Sequence, residues 1–235
     1  MNFAAGAYVR RGLKPLWPGV LGLALTAATG CTGKVSREVN ATLLAVDGSS
    51  LVQGLGSNGT SRPATAQAPF RAGETLRTNS DGTVAAMLVP GALVRLAPRS
   101  EIRLERLAIT KDGNATDEAM SRAVSLRLLE GTIDLVVQFE SEPGKFRLET
   151  PVGTLSTLLP GTCRVAFQSG QLRLTCIRGA FDFLPAGGQS PVTLKAGYFQ
   201  QWPDGQPEPS AIETDATAQD EIDQSLNVER KLLEL

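Results

Sequence analysis

Cys163-Arg-Val-Ala-Phe-Gln-Ser169-Gly170-Gln-Leu-Arg-Leu-Thr-Cys176 is the run that decides how this chain folds. A two-residue turn at Ser169-Gly170 sets Gln168 opposite Gln171, Phe167 opposite Leu172, Val165 opposite Leu174 and Cys163 opposite Cys176. Hydrogen-bonded and non-hydrogen-bonded pairs alternate outward from such a turn. Gln168–Gln171 is hydrogen-bonded, so Cys163–Cys176 is a non-hydrogen-bonded pair. Cα atoms in such a pair lie about 4.5 Å apart, within the range of about 4.4–6.8 Å that a disulfide accepts. One face of the hairpin then carries Cys163, Val165, Phe167, Leu172, Leu174 and Cys176. The other carries Arg164, Ala166, Gln168, Gln171, Arg173 and Thr175. The expected Cys163–Cys176 disulfide implies an oxidising compartment. It ties adjacent strands and lacks a Cys-x-x-Cys spacing, so it is expected to be structural rather than redox-active.

The same period of two recurs along the body. Ile102 and Leu104 alternate with Glu101, Arg103 and Glu105; Val124, Leu126 and Leu128 alternate with Ser125 and Arg127. Ile133, Leu135, Val137 and Phe139 alternate with Asp134 and Gln138, and Phe181 and Phe183 flank Asp182. Each run ends in turn chemistry, such as Asp81-Gly82, Pro90-Gly91, Pro160-Gly161 or Gly187-Gly188. No long helical pattern interrupts the strands. The expected fold class is all-β: antiparallel hairpins forming a twisted two-sheet sandwich or short solenoid-like roll, each sheet with one wet face. Gly54 to Pro69 reads as a long loop.

The ends of the chain differ from the body. Residues 1–30 read as an export signal, with Arg10, Arg11 and Lys14 flanking a weakly apolar stretch from Leu16 to Ala28. That stretch is too short and too rich in small residues for a span of about 20 residues. Ala28-Thr29-Gly30-Cys31 resembles the bacterial lipobox, in which the cysteine is lipidated and becomes the mature N-terminus, although leucine is usual where Ala28 stands. Two alternatives are an ordinary buried Cys31 and an uncleaved anchor. The count of three cysteines favours lipidation, because Cys31 is the one without a partner. Residues 31–40 are then a lipidated N-terminus and linker, 41–203 a β domain, and 204–235 an acidic tail. Within the tail, Ile222, Leu226 and Leu233 share one helical face, with Asp220, Glu221 and Asp223 early and Arg230 and Lys231 late. The simpler expectation is a short C-terminal α-helix docked on the body; the alternative is a helix that packs on a partner.

Several chemistries are disfavoured. The chain has no histidine, which removes Ser-His-Asp and Cys-His catalysis and the commonest zinc ligand. Gly54-Leu-Gly56-Ser-Asn-Gly59 matches a dinucleotide fingerprint literally, but Thr60-Ser61-Arg62-Pro63 cannot open the helix that such a site needs. Asn40, Asn58 and Asn114 begin sequons that have no default meaning in a bacterial lipoprotein. Glu101, Arg103 and Glu105 read as a salt-bridged wet face. Asp134 and Asp182 are expected on solvent faces. Arg95, Arg99, Arg103 and Arg106 read as ordinary solvated charge rather than a basic stripe. Tyr198, Phe199 and Trp202 are read as core aromatics, with carbohydrate contact as the alternative. No catalytic, metal or cofactor residue is assigned, an enzyme is not expected, and nothing points to nucleic acid.

The body resembles the FecR-like domain family. Phe70-Arg-Ala-Gly73-Glu-Thr-Leu-Arg-Thr78-Asn-Ser-Asp-Gly82 and Pro90-Gly91-Ala-Leu-Val-Arg-Leu-Ala-Pro98 carry the family's strand–turn–strand pattern, with Pro90 where Asp is usual. Leu128-Leu-Glu-Gly131, then Thr150-Pro151-Val-Gly153 followed by Gly161-Thr162, match its later signatures, although Cys163 and its neighbours replace the expected acidic and aromatic residues. Gly179 and Leu194-Lys-Ala-Gly197 match its closing hairpins. The resemblance covers roughly residues 40–202. It implies a β-rich extracytoplasmic domain without catalytic activity. In signalling members that domain relays receptor occupancy to sigma-factor control. Those members carry a cytoplasmic domain and a membrane span, and here only the export segment precedes Cys31, so this chain is not expected to hold a sigma factor itself. The resulting expectation is a lipid-anchored, periplasm-facing protein, slightly favouring the outer membrane, that binds or scaffolds an envelope protein. The alternatives are an accessory regulator in envelope-to-sigma-factor signalling and a cell-wall or carbohydrate binder.

Overall fold

The computed structural model describes residues 34–54, 59–112, 119–139, 145–188, 190–203, 208–212 and 215–233. Cys31 with the whole of the expected export segment, most of the Gly54–Gly59 stretch and the Asn114 sequon lie outside them, as do the side chains of Ile222, Leu232 and Leu233.

Strands dominate these residues, and one helix follows them. In chain order they are β1 (Lys34–Glu38), β2 (Ala41–Asp47), β3 (Ser50–Gln53), β4 (Ser61–Pro63), β5 (Pro69–Phe70), β6 (Thr75–Thr78), β7 (Thr83–Val89) and β8 (Ala92–Leu96). Next come β9 (Glu101–Asp112), β10 (Ala119–Val137), β11 (Phe146–Thr150), β12 (Gly153–Gln168), β13 (Gln171–Pro185), β14 (Val192–Lys195), β15 (Tyr198–Trp202) and β16 (Ser210–Ala211). The helix is α1 (Ala216–Leu233). The all-β class with a short C-terminal helix is therefore observed.

The strands share one hydrogen-bonded network that folds into two layers. Three long strands, β10, β12 and β13, run through both. The first layer has the order β4-β3-β6-β9-β10-β11-β12-β13-β14, using the early half of β10 and β12 and the late half of β13. The second has the order β5-β2-β7-β8-β10-β12-β13-β15-β16, using the other halves. The inward faces of both layers meet in one core. Leu76, Ile102, Leu126, Leu148, Phe181 and Phe183 come from the first; Leu43, Val84, Val94, Leu135, Val165 and Leu174 come from the second, and all are buried.

Glycine makes the bends possible. Gly131, in β10 where the strand passes between layers, has φ +94°, and an added Cβ would lie 2.4 Å from Ser100 Cα. Gly179, with φ +77°, faces the slipped register of β12 and β13, and a Cβ there would lie 2.2 Å from the Pro160 carbonyl oxygen. Left-handed backbone and close chain approach both select glycine.

Three features depart from expectation, the first being β4, which pairs with β3 inside the Gly54 to Pro69 stretch read as a long loop. β11 pairs with β10 in parallel, Val124 against Phe146 and Leu126 against Leu148, so the sheet is mixed rather than built only of antiparallel hairpins. The bend explains this: β10 ends in the second layer, and β11 starts again beside its first half. Residues read as linker also form β1, antiparallel to β9 with Lys34 opposite Asp112 and Glu38 opposite Ala108.

Candidate functional site

The hairpin that opened the reading has the expected register. Gln168 pairs with Gln171, Phe167 with Leu172, Val165 with Leu174 and Cys163 with Cys176. Ser169 (φ 51°) and Gly170 (φ 80°) form the turn, as a type I′ connection requires. Cys163 and Cys176 face the core and are buried as free thiols. The disulfide is thus absent from this structure, while the pairing that permits it is present. Burial, then Cys176 and Asp134 nearby, pushes the Cys163 thiol well up; burial pushes Cys176 up to about 12. Cys176 Sγ donates to the Arg178 carbonyl at 3.5 Å and the Gly179 carbonyl at 3.7 Å. Protonated, buried thiols are poor nucleophiles and poor metal ligands.

The opposite face of the same hairpin holds the main polar cluster. Register aligns Arg95 of β8, Asp134 of β10, Arg164 of β12, Thr175 of β13 and Phe199 of β15 across the second layer. Asp134 is fully buried, which corrects the expectation of a solvent face. Alternation placed it on the correct side of the sheet, but α1 covers that side. Arg164 donates twice to Asp134, Nε to Oδ1 at 2.8 Å and Nη2 to Oδ2 at 3.2 Å. Arg95 Nη1 lies 3.8 Å from Asp134 Oδ2. From the helix, Ser225 Oγ donates to Asp134 Oδ1 at 2.7 Å, and Gln224 Oε1 accepts from Arg164 Nη1 at 2.8 Å. Asp215, just before the helix, lies 3.4 Å from Arg173 Nη2. The tail helix is thus docked on the body, with two charged strand residues and two polar helix residues interlocked beneath it. Forked guanidinium–carboxylate pairing satisfies a buried charge. The cluster can hold the helix in register; it has no unpartnered nucleophile aimed at a cavity.

The first layer's outer face is a solvated ladder, as expected for Glu101, Arg103 and Glu105. Arg127 bridges Glu105 at 3.4 Å and Glu149 at 2.8 Å, and Arg103 lies 3.7 Å from Glu105. Arg95 and Arg103 belong to different layers, so the run of arginines is not a stripe. Asp182 accepts from Thr193 Oγ1. Trp202 is buried against Phe183, with ring centroids 4.1 Å apart. Phe199 lies under the Arg173 guanidinium at 4.3 Å. Tyr198, 42% exposed, and Phe199, half-buried on the outer face opposite Thr175, both depart from the core reading. Among the described residues, no group of three or more His, Cys, Asp or Glu is placed to hold a metal.

The role of Ser225 and Gln224 escaped the sequence reading. The only available signal was an amphipathic tail ending a β chain; polar residues on its docking side carried none.

Comparison with known proteins adds a family likeness. No curated protein matches the chain. Two solved structures from Parabacteroides distasonis ATCC 8503, each described as a "putative anti-sigma factor", are similar at 13% identity and TM-score 0.42. Each match covers 58% of this chain and 59% of the other, so the chain spans about three-fifths of their length. The model of the FecR protein family matches residues 74–181, from just before β6 to the late half of β13. That span contains the Thr78, Gly131, Thr150-Pro151, Gly161-Thr162 and Gly179 positions that turn and bend the strands, and over it this chain is similar to the FecR protein family.

Proposed function

We propose that this protein is a non-catalytic, extracytoplasmic regulator in envelope-to-sigma-factor signalling, tethered to a membrane through a lipidated Cys31. The single observation that carries the signalling role is the FecR match over residues 74–181. Its partner is an envelope protein, and its work is contact. The tether is supported by the small residues before Cys31 and the basic flank upstream. Several acyl chains on one cysteine meet the requirement of more than one hydrophobic signal for stable anchoring. In an oxidising compartment the facing pair Cys163–Cys176 forms a bridge, closing a loop of about 13 residues and contributing on the order of 3 kcal/mol in the chain-entropy model.

Deletion of the gene, with transcription measured under the inducing condition of a co-encoded sigma factor, tests the signalling role. Loss of the induced response is expected, restored by the wild-type chain. An unchanged response overturns the role. Mass spectrometry of the exported protein tests the bridge: the expected mass is two hydrogens below the dithiol form, and two free thiols reject it.

A further inference from the structure

The described residues begin with a three-stranded wing, whose first residue, Lys34, follows the proposed anchor Cys31 by three positions in the sequence. β1 pairs residue by residue with the far end of β9, from Lys34–Asp112 to Glu38–Ala108. β9 pairs in turn with β10, through Lys111–Ala119 and Thr110–Ser121. All five residues of β1 are exposed, Val35 at 58%. Val39, immediately after, already packs on the core, and its amide donates to the Leu107 carbonyl at 3.2 Å. The wing is therefore continuous with the sandwich rather than hung from a loop.

From Cys31 to Lys34 there are three peptide links, a reach of at most about 10 Å. The headgroup layer on each side of a bilayer is roughly 5–7 Å thick. A lipidated Cys31 thus leaves no slack for the body to turn freely. We propose that the wing tip formed by Lys34, Val35 and Lys111 is a membrane-contact surface, resting on the bilayer that holds the protein's own acyl chains. This inference rests on the lipid-anchor reading above. The exposed cations Lys34 and Arg37 suit phosphate headgroups. Orientation follows: β9 extends from Asp112 at the membrane to Glu101 roughly 35 Å away, at about 3.3 Å per residue.

The test uses the full lipidated chain in phosphatidylethanolamine–phosphatidylglycerol vesicles. Single variants Val35→Cys and Ser80→Cys receive a fluorophore by maleimide chemistry. Position 80 is exposed and adjoins the start of β9 through the Asn79–Arg99 hydrogen bond. The native pair is buried, and the unmutated chain reports any background labelling. Nitroxide-bearing lipids are expected to quench position 35 at least threefold more than position 80. Twelve Gly/Ser residues inserted between Gly33 and Lys34 extend the tether by a root-mean-square length of about 20 Å. They should erase the difference while leaving co-sedimentation intact. Equal quenching at both positions in an acylated, co-sedimenting protein overturns the contact surface and leaves the anchor standing. A Cys31 shown by mass spectrometry to carry no acyl group overturns the anchor, and the inference falls with it.

Discussion

Asp134 sits between Ile133 and Leu135, and the alternation that sends those two inward sends its carboxylate outward. The fold then covers the outside, so its stability depends on pairing. Asp134→Ala leaves the Arg164 guanidinium, only 6% exposed, without its carboxylate. A loss of about 3–5 kcal/mol is expected for removing one partner of a buried pair, measured by urea unfolding. The double change Asp134→Leu with Arg164→Met removes both charges and should recover most of that loss; a double variant as unstable as the single one would show that the pair is not the cause. The thiols give a second residue-scale test. Both folded-state pKa values are raised above the ordinary 9.0, Cys176 to about 12. The folded, reduced chain therefore holds protons that the unfolded chain releases. That contribution is complete below about pH 9 and is lost as pH climbs towards 12. An oxidised chain has no such protons. The stability gap between oxidised and reduced protein should widen above pH 9, and parallel pH profiles for the two forms would contradict the assigned burial.

At the scale of elements, α1 depends on contacts that its own sequence does not announce. Ser225 is fully buried, and its hydroxyl is 2.7 Å from Asp134, which lies 91 residues earlier in the chain. Ser225→Ala removes a hydrogen bond to a charged group and should cost about 1.5–3 kcal/mol. Gln224 is exposed and meets Arg164 through one amide oxygen; Gln224→Ala should cost less, and a reversed order in denaturant midpoints would contradict the docking. The β10 bend has its own test. Gly131→Ala must place a methyl 2.4 Å from Ser100 Cα at φ +94°, so a loss of more than about 1 kcal/mol is expected; a neutral substitution would refute the bend as drawn. These elements also show what could be read beforehand. The β12–β13 hairpin was legible residue by residue, because a two-residue turn, period-two alternation and the cysteine spacing all demand one register. The docked helix was legible as an element, since its apolar face needs cover. The burial of Asp134 was not, because local alternation reports which side of a strand faces a layer, not what lies over it. The parallel β11 was not, because Thr150-Pro151-Val152-Gly153 reads equally as a turn whichever neighbour the strand before it joins. β1 was passed over because it buries none of its own side chains.

At the scale of the whole molecule, three strands pass through both layers, and that predicts how the protein unfolds. If β10, β12 and β13 each belonged to one sheet, either layer could open while the other persisted. Here the early half of β10 holds β9 and β11, and its late half holds β8 and β12. Opening one layer frees strand ends that are covalently part of the other and exposes the shared core. Local opening is cheap only where few buried contacts are lost, and no such division exists between the layers. Trp202 reports on this junction: it belongs to the second layer through β15 and packs on Phe183 in the late half of β13, which belongs to the first. Of the two tryptophans in the chain, Trp17 lies outside the described residues; in a chain that begins at Cys31, as proposed above, tryptophan fluorescence reads Trp202 alone. Urea unfolding followed by that fluorescence and by far-ultraviolet circular dichroism should give one coincident transition. Fluorescence lost well before the strand signal would mean that the layers separate first and that the shared strands do not couple them.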